Sequence, residues 1–173
     1  MRGLGTIVNV AAMVAGGLLG LVVKNGLKQR VQDALMKALG VSTIFLGIAG
    51  ALPGLIEVSP EGGLAAKGAA VLIASLVGGS LIGEWINIEA GLTRFGGWLR
   101  HKAKSEGDAG FLEGFINASL VACVGAMAIV GAIEDGMAGN ASLLYAKATL
   151  DAVIIMIFAS AYGKGAIFSA IPV

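Results

Sequence analysis

The sequence predicts an all-α fold, a polytopic membrane helix bundle of about five transmembrane helices with two cytoplasmic amphipathic interfacial helices. Of the 173 residues, 57% are hydrophobic and only 13% are charged. Soluble domains carry roughly 25% charged residues, so a soluble fold of this size would lack the polar surface to cover itself. The 28 glycines also suit a membrane bundle, because small residues let helices approach closely in lipid.

Runs of residues without charge locate the spans. A helix rises 1.5 Å per residue, so about 20 apolar residues cross the ~30 Å hydrocarbon core. The clearest run is 114–133, which lies between Glu113 and Glu134. The fifth run is interrupted by Lys147 and Asp151. The predicted spans are 3–23, 38–56, 68–83 with an extension towards Ile88, 114–133 and 141–163.

The distribution of lysine and arginine predicts the orientation, because cytoplasmic loops of membrane proteins are enriched in both. Nine of these residues fall on one side of the predicted spans and three on the other. We therefore expect a multi-pass protein of the bacterial inner membrane with its N-terminus outside. The nine are Lys24, Lys28, Arg30, Lys37, Arg94, Arg100, Lys102, Lys104 and Lys164, against Arg2, Lys67 and Lys147.

The two basic loops have helical periodicity. Apolar residues recur every three or four positions in both, with charged residues between them. This pattern predicts short interfacial helices whose basic faces bind anionic lipid. A solvated basic loop would explain the charges but not the apolar period. The recurring residues are Leu27, Val31, Leu35 and Leu39 in the first loop, and Ile88, Leu92, Phe95 and Leu99 in the second.

A parallel internal repeat would divide the single membrane domain into units 3–56 and 68–135 and an incomplete third unit, 141–173. Gly16 and Gly20 in the first span correspond to Gly79 and Gly83 in the third. Such pairs, four residues apart, allow close helix packing, here within the chain rather than between copies. Similar composition of glycine-rich spans is the alternative to a true repeat. A homo-oligomer is also expected.

Several polar residues are candidates for a transport pathway, because charges at membrane depth are costly and need a reason. Glu113 and Asn117 share one helical face near the cytoplasmic end of the fourth span. They line a path, or else Glu113 lies at the water interface and Asn117 bonds a neighbouring helix.

Asp151 is the sharper candidate. It forms an ion pair with Lys147 four residues earlier, or faces the bundle and binds a cation or a proton. If the fifth span begins near Ala148, both residues are interfacial. Asn9 is expected to form a hydrogen bond between helices. Glu134 and Asp135 are outer carboxylates, expected either to attract cations or to be solvated.

Other functional classes are not indicated. A single cysteine and a single histidine provide no cage for a metal, and no cofactor-binding or hydrolase motif is present. We therefore expect neither an enzyme nor a cofactor. A net charge of +1 gives no reason to expect nucleic acid as a partner.

Several motifs, in order along the chain, resemble those of the YqgA-like bacterial inner-membrane proteins, a family of unknown function. They are GLGT at 3–6 with Asn9, GEWINIE at 83–89, EGF at 113–115, CVGAMAI at 123–129, EDG at 134–136, and Lys147 with Leu150 and Asp151. The resemblance implies about six or seven spans, a role in transport that is sometimes ascribed to the family, and members that continue beyond the end of this chain. It implies no substrate.

The sequence thus predicts transport or conduction of a small solute or ion. The alternative is a non-transporting membrane scaffold whose basic interfacial helices bind anionic lipid or a partner protein.

Overall fold

The computed structural model describes residues 2–23, 27–59, 63–123 and 125–173. The elements are α1 (Leu4–Val22), α2 (Gln29–Leu55), β1 (Ile56–Val58), β2 (Leu64–Ala66), α3 (Ala69–Ile86), α4 (Ile88–Lys102), α5 (Phe111–Cys123), α6 (Ala126–Ala138), α7 (Ser142–Tyr162) and α8 (Gly165–Phe168). The chain divides into two compact units, one of Met1–Asp33 with Glu89–Val173 and the other of Ala34–Ile88. This division differs from the three predicted units, and the internal repeat stays a prediction.

The first unit is built on two parallel helices, α1 and α7. Small residues bring them together, as the sequence predicts for the first glycine pair. A Cβ at Gly16 would press into the backbone carbonyl of Ala152, and one at Gly20 into that of Met156. Because both glycines face carbonyl groups of α7, the two backbones are in direct contact.

The remaining helices of this unit pack around that pair. The start of α5 lies against the end of α7, since a Cβ at Gly114 would be 2.6 Å from the Cβ of Tyr162. Phe115 is fully buried, and its ring centroid lies 5.9 Å from that of Phe95 on α4. The second predicted amphipathic helix is therefore present as α4, with its apolar face on α5.

The predicted span 114–133 is not one continuous helix. The structure has α5 and α6 in its place, bent by 55° relative to each other. Gly125, which precedes α6, has extended backbone with φ −76° and ψ 144°, so the helical hydrogen-bond ladder is interrupted there. The expectation of one continuous helix over 114–133 was wrong, although the bent pair α5–α6 can still count as one span. The break was missed because these residues are uniformly uncharged and hydropathy does not report backbone breaks.

The second unit also departs from the predicted pattern. The first interfacial helix is not separate, because α2 runs continuously from the basic segment into the second span. No proline separates the two parts, and the lone Gly40 costs only about 1 kcal/mol in a helix. The connection between α2 and α3 contains the antiparallel hairpin β1–β2, in which Glu57 pairs with Ala65. Pro60 and Gly62 of this connection lie outside the described residues.

Neither α2 nor α3 has a buried residue. A Cβ at Gly79 or Gly83 would meet no atom within 4 Å, so the packing within the chain predicted for this pair is not observed.

By length and composition, four helical segments of the described chain could cross a membrane, with α3 and α4 counted as one, and the bent pair α5–α6 would make a fifth. The structure is therefore mostly helical, with several apolar helices of spanning length.

Candidate functional site

A group of three buried polar side chains joins α1 to α7. Lys147 forms an ion pair with the Oδ2 atom of Asp151, one turn further along α7. The Nδ2 atom of Asn9 on α1 donates a hydrogen bond of 3.1 Å to the same Asp151 oxygen. We call Asn9, Lys147 and Asp151 the polar cluster. Asp151 thus pairs within its helix and also contacts α1, whereas the binding of a cation or a proton stays a prediction.

The polar cluster lies well inside its helices. The side chains of Lys147 and Asp151 are only 6% and 5% exposed. At 1.5 Å per residue, Asn9 is about 7 Å from the start of α1 and Asp151 about 14 Å from the start of α7. Since α7 begins at Ser142 rather than near Ala148, both residues of the pair lie within the helix, and their depth in the membrane stays a prediction.

Asp135, near the end of α6, is buried at the beginning of α1. Its Oδ2 atom accepts a hydrogen bond of 2.8 Å from the backbone N–H of Gly5, and the residue is 1% exposed. The contact places a carboxylate against the amino end of a helix, where the partial positive charge favours it. Of the two alternatives for the outer carboxylates, solvation therefore does not hold for Asp135, whereas Glu134 is half-buried; attraction of cations stays a prediction.

A small cavity of about 30 Å³ lies beside the polar cluster, between α1, α6 and α7. Its lining includes Asn9 and Lys147, together with Ala128 and Ala132 of α6. Ala128 is only three residues after the break at Gly125, so the first turn of α6 reaches this cavity. We call it the water-sized cavity. Its full lining is Thr6, Asn9, Ala128, Ala132, Leu144, Lys147 and Val173.

Glu113 and Asn117 lie elsewhere, in an open hollow of about 390 Å³ formed by α4, α5 and the segment between them. We call it the Glu113 hollow. Its other charged lining residues are Glu89 and Arg100. Arg100 is held in place, because its guanidinium donates hydrogen bonds to the carbonyls of Ser105 and Glu106. The structure thus divides the predicted pathway residues into two groups, the polar cluster and the Glu113 hollow.

Cys123 lies between these two groups along the chain. It ends α5, it is half-buried, and it is within coulombic reach of both Lys147 and Asp151. Ser119, one turn earlier, is fully buried, and its hydroxyl has no hydrogen-bond partner. The second half of α5 therefore carries polar groups towards the polar cluster.

Sequence reasoning missed how these elements meet. Gly5 and Asn9 are one turn apart on α1, and Ala128, Ala132 and Asp135 share one face of α6. These spacings are visible in the sequence, but which face meets which is decided by tertiary packing. Among the described residues, no group of three or more histidine, cysteine, aspartate or glutamate side chains could hold a metal ion.

Comparison with known proteins identifies the family. Residues 4–173 match the family described as "Protein of unknown function (DUF554)". The chain belongs to this family. The DUF554 chain is 32% identical over 161 residues to the "Uncharacterized membrane protein YdfK" of Bacillus subtilis, an alignment that covers 93% of the chain and 64% of that protein. It is 28% identical over 173 residues to the "Uncharacterized protein YqgA" of Escherichia coli, covering 98% and 68% respectively.

The DUF554 chain thus spans about two thirds of the length of these relatives, 64% of one and 68% of the other. No solved structure matches it. The Bacillus subtilis relative is named as a membrane protein, and the apolar helices of spanning length indicate that this chain is one too.

Proposed function

We propose that the DUF554 chain forms part of a bacterial inner-membrane protein that moves a small solute or an ion across the bilayer. The observation that carries the proposal is the polar cluster, a buried ion pair and amide on helices of membrane-spanning length. A simple membrane anchor does not need such groups, and ionisable residues inside a helical bundle are by default candidates for a functional site.

The energetics of the polar cluster support this proposal. A charged side chain at the centre of a membrane helix costs about 2.5–3.5 kcal/mol on insertion scales. Lys147 and Asp151 offset part of this cost by pairing, but well-packed apolar residues of similar volume are commonly as stable as a buried ion pair. Stability alone therefore does not explain why Lys147, Asp151 and Asn9 lie together. Intramembrane ionisable groups that face other helices typically mark solute and ion paths.

The break between α5 and α6 supports the same conclusion. Irregular backbone at membrane depth is tolerated where it is buried in protein or lines a cavity. Here α6 begins at Ala126, and Ala128 and Ala132 line the water-sized cavity beside Asn9 and Lys147. Many secondary transporters place their binding sites at such discontinuous helices.

The Glu113 hollow would provide the cytoplasmic entrance. This assignment is supported by the excess of lysine and arginine on the side of α4, from which a cytoplasmic position of α4 and an N-terminus outside are predicted. Glu113, Asn117 and Ser119 then lead along α5 towards Cys123 and the polar cluster. We assign no enzymatic activity and no cofactor to the chain.

The proposal is tested by tracer uptake into proteoliposomes. Vesicles containing the purified chain are supplied with sodium, rubidium, chloride or glycerol tracers, and their uptake is compared with that of protein-free vesicles. We expect faster uptake of at least one tracer, and loss of that uptake in Asp151→Asn. Glu57→Gln is the matched control, because Glu57 forms an exposed pair with Lys67 at 3.6 Å.

Circular dichroism and gel filtration check that each variant folds as the wild type does, and uptake is compared only between variants that pass this check. Uptake by Asp151→Asn equal to that of the wild type, or no uptake of any tracer by the wild type, would contradict the proposal.

A membrane scaffold that binds anionic lipid through α4 is the second candidate. It is favoured by one observation: the exposed Lys102 ammonium lies 5.0 Å from the ring centroid of Trp98, a basic and aromatic pairing suited to the headgroup region. Phosphatidylglycerol that copurifies with the chain should fall in the double variant Lys102→Gln/Lys104→Gln and remain unchanged in Lys67→Gln. Equal lipid content in all three proteins would exclude this role. The homo-oligomer stays a prediction.

A further inference from the structure

Two buried side-chain oxygen atoms, one on α1 and one on α6, lack a hydrogen-bond donor. Asn9 is 1% exposed, and its Oδ1 atom has no partner. Asp135 is also 1% exposed, and its Oδ1 atom has none either. An amide oxygen and an ionised carboxylate oxygen only accept hydrogen bonds, so neither can satisfy the other. Because a buried acceptor without a donor is costly, the two oxygens indicate a donor that the ionised side chains do not supply.

The orientation of the Asn9 amide is fixed by its other contact. Its Nδ2 atom donates a hydrogen bond of 3.1 Å to Asp151 Oδ2, which also accepts from Lys147. If the amide were turned around, its oxygen would face this carboxylate, and two acceptors would meet. The Oδ1 atom of Asn9 is therefore the atom that needs a donor, while Asp151 is held in its ionised form by two donors.

Asp135 reaches the same end of α1 as Asn9. Its Oδ2 atom accepts the hydrogen bond from the N–H of Gly5, which lies one turn, or about 6 Å, before Asn9. On α6, Asp135 follows Ala132 by three residues, and Ala132 lines the water-sized cavity together with Asn9. This cavity is large enough for a water molecule. A water molecule can therefore link the Asp135 carboxyl to the Asn9 amide.

The charge of an ionised Asp135 would not be balanced. Among the described residues, no ion pair includes Asp135, and the buried ammonium of Lys147 is paired with Asp151. The N–H of Gly5 offsets only part of the charge, since a helix terminus carries about half an elementary charge. A buried carboxylate without a cationic partner is commonly neutralised by a proton.

The other titratable side chains on the neighbouring elements do not change this balance. None lies within α1 itself, and Arg2, which precedes α1, is exposed. The remaining ones are of types that never carry a positive charge: Glu134 on α6, Tyr145 on α7 and Cys123 at the end of α5.

We propose that Asp135 is a proton-binding site that is occupied at neutral pH. The proton forms an O–H bond with Oδ1 and neutralises the carboxylate, and this O–H donates through a water molecule to Asn9 Oδ1. Every member of the network then has a matching partner, from Asp135 through Asn9 to Asp151 and Lys147. Release of the proton leaves two carboxylates with one ammonium and weakens the contact between α6 and α1. The site goes beyond the proposed transport function and does not depend on it.

Infrared difference spectroscopy on the purified full chain in detergent tests the site directly. At about pH 6 an ordinary aspartate is ionised, so the carbonyl band of a protonated carboxyl group identifies an exceptional one. We expect this band in the wild type and its loss in Asp135→Asn, whereas Glu57→Gln, at an exposed pair, keeps it. Asn9→Ala should shift the band, because the protonated carboxyl loses the acceptor at the end of its water bridge.

The pH dependence of stability is the second measurement. If the folded chain holds a proton that the unfolded chain releases, stability falls as the pH rises. From about pH 5 upwards, the folding equilibrium constant of the wild type relative to Asp135→Asn should therefore fall about tenfold per pH unit, until the folded chain also releases the proton. The asparagine variant, which keeps a neutral group and an N–H donor at this position, should lack this dependence.

The outcomes decide between a proton and an ionised carboxylate that is hydrated by water alone. Absence of the protonated band at about pH 6 overturns the site, as does equal pH dependence of the wild type and Asp135→Asn. If Asp135→Asn does not fold, the wild type labelled with ¹³C at its aspartate carboxyl groups gives the same test. Of its four aspartates, Asp33 and Asp108 are not buried, and Asp151 is paired with Lys147. An isotope-shifted protonated band then supports the site, and its absence overturns it.

Discussion

The buried ion pair of α7 makes the most direct prediction about stability. Asp151→Ala leaves the Lys147 ammonium without its partner, with its side chain only 6% exposed. It also removes the acceptor of the hydrogen bond from Asn9 Nδ2. We therefore expect this substitution to lower the free energy of unfolding far more than the loss of a surface ion pair would.

The expected magnitude follows from this burial. Removing one partner of a buried ion pair costs about 3–5 kcal/mol, because the remaining charge is desolvated and uncompensated. Replacing both partners, as in Lys147→Met/Asp151→Leu, leaves no such charge, so we expect this double variant to recover most of the loss. The exposed pair Lys67–Glu57, with side chains 48% and 61% exposed, should contribute at most about 1 kcal/mol.

Unfolding in mixed micelles with increasing denaturing detergent, followed by circular dichroism, measures these differences. The order of stability should be wild type, then Glu57→Ala close to it, then the double variant, with Asp151→Ala lowest. If Asp151→Ala costs no more than Glu57→Ala, the pair is not buried as described. If the double variant is as unstable as the single one, the loss is not caused by an uncompensated charge.

Two further predictions concern glycines with and without neighbours, and both use the same unfolding measurement. Gly16→Ala should destabilise the protein by about 1–3 kcal/mol, because the new methyl group presses into the carbonyl of Ala152. Gly79→Ala should be neutral or stabilising, because no atom lies within 4 Å of the new Cβ. Equal effects of the two substitutions on stability would refute the α1–α7 contact. Gly96→Ala would place a Cβ 2.6 Å from the Phe115 ring of α5 and should therefore destabilise the packing of α4. Gly97→Ala has open space around the new Cβ and should stabilise the protein by about 0.5–1 kcal/mol through helix propensity. If Gly97→Ala were the less stable of the two variants, α4 would not pack on α5.

The membrane location and the helical class could be predicted because both depend on local composition. Uncharged runs and the Gly16–Gly20 spacing carry the necessary information within one helix. The contact of Asn9 with Asp151 joins residues 142 positions apart, and no local pattern indicates it. The burial of Asp135 was not foreseen for the same reason: two adjacent acids at a helix end are commonly solvated, and only tertiary packing places one of them at the amino end of α1.

The break between α5 and α6 and the continuity of α2 were missed for a different reason. Hydropathy records how apolar a segment is but not whether its backbone hydrogen bonds are continuous. Gly125 lies within an apolar run, where a glycine serves equally in a straight helix or at a break. In α2 the change from basic to apolar sequence after Lys37 suggested two elements, although a helix can pass from an interface into a membrane without interruption.

The central claim is that the polar cluster and the neighbouring break belong to a water-accessible path within the membrane. Cys123 tests it without any substitution, because it is the single cysteine of the chain and ends α5 at the break. In sealed proteoliposomes, a small charged thiol reagent that cannot cross lipid should label Cys123 from at least one side. Labelling by a lipid-soluble maleimide but not by the charged reagent would show a dry, closed bundle at this point and contradict the claim.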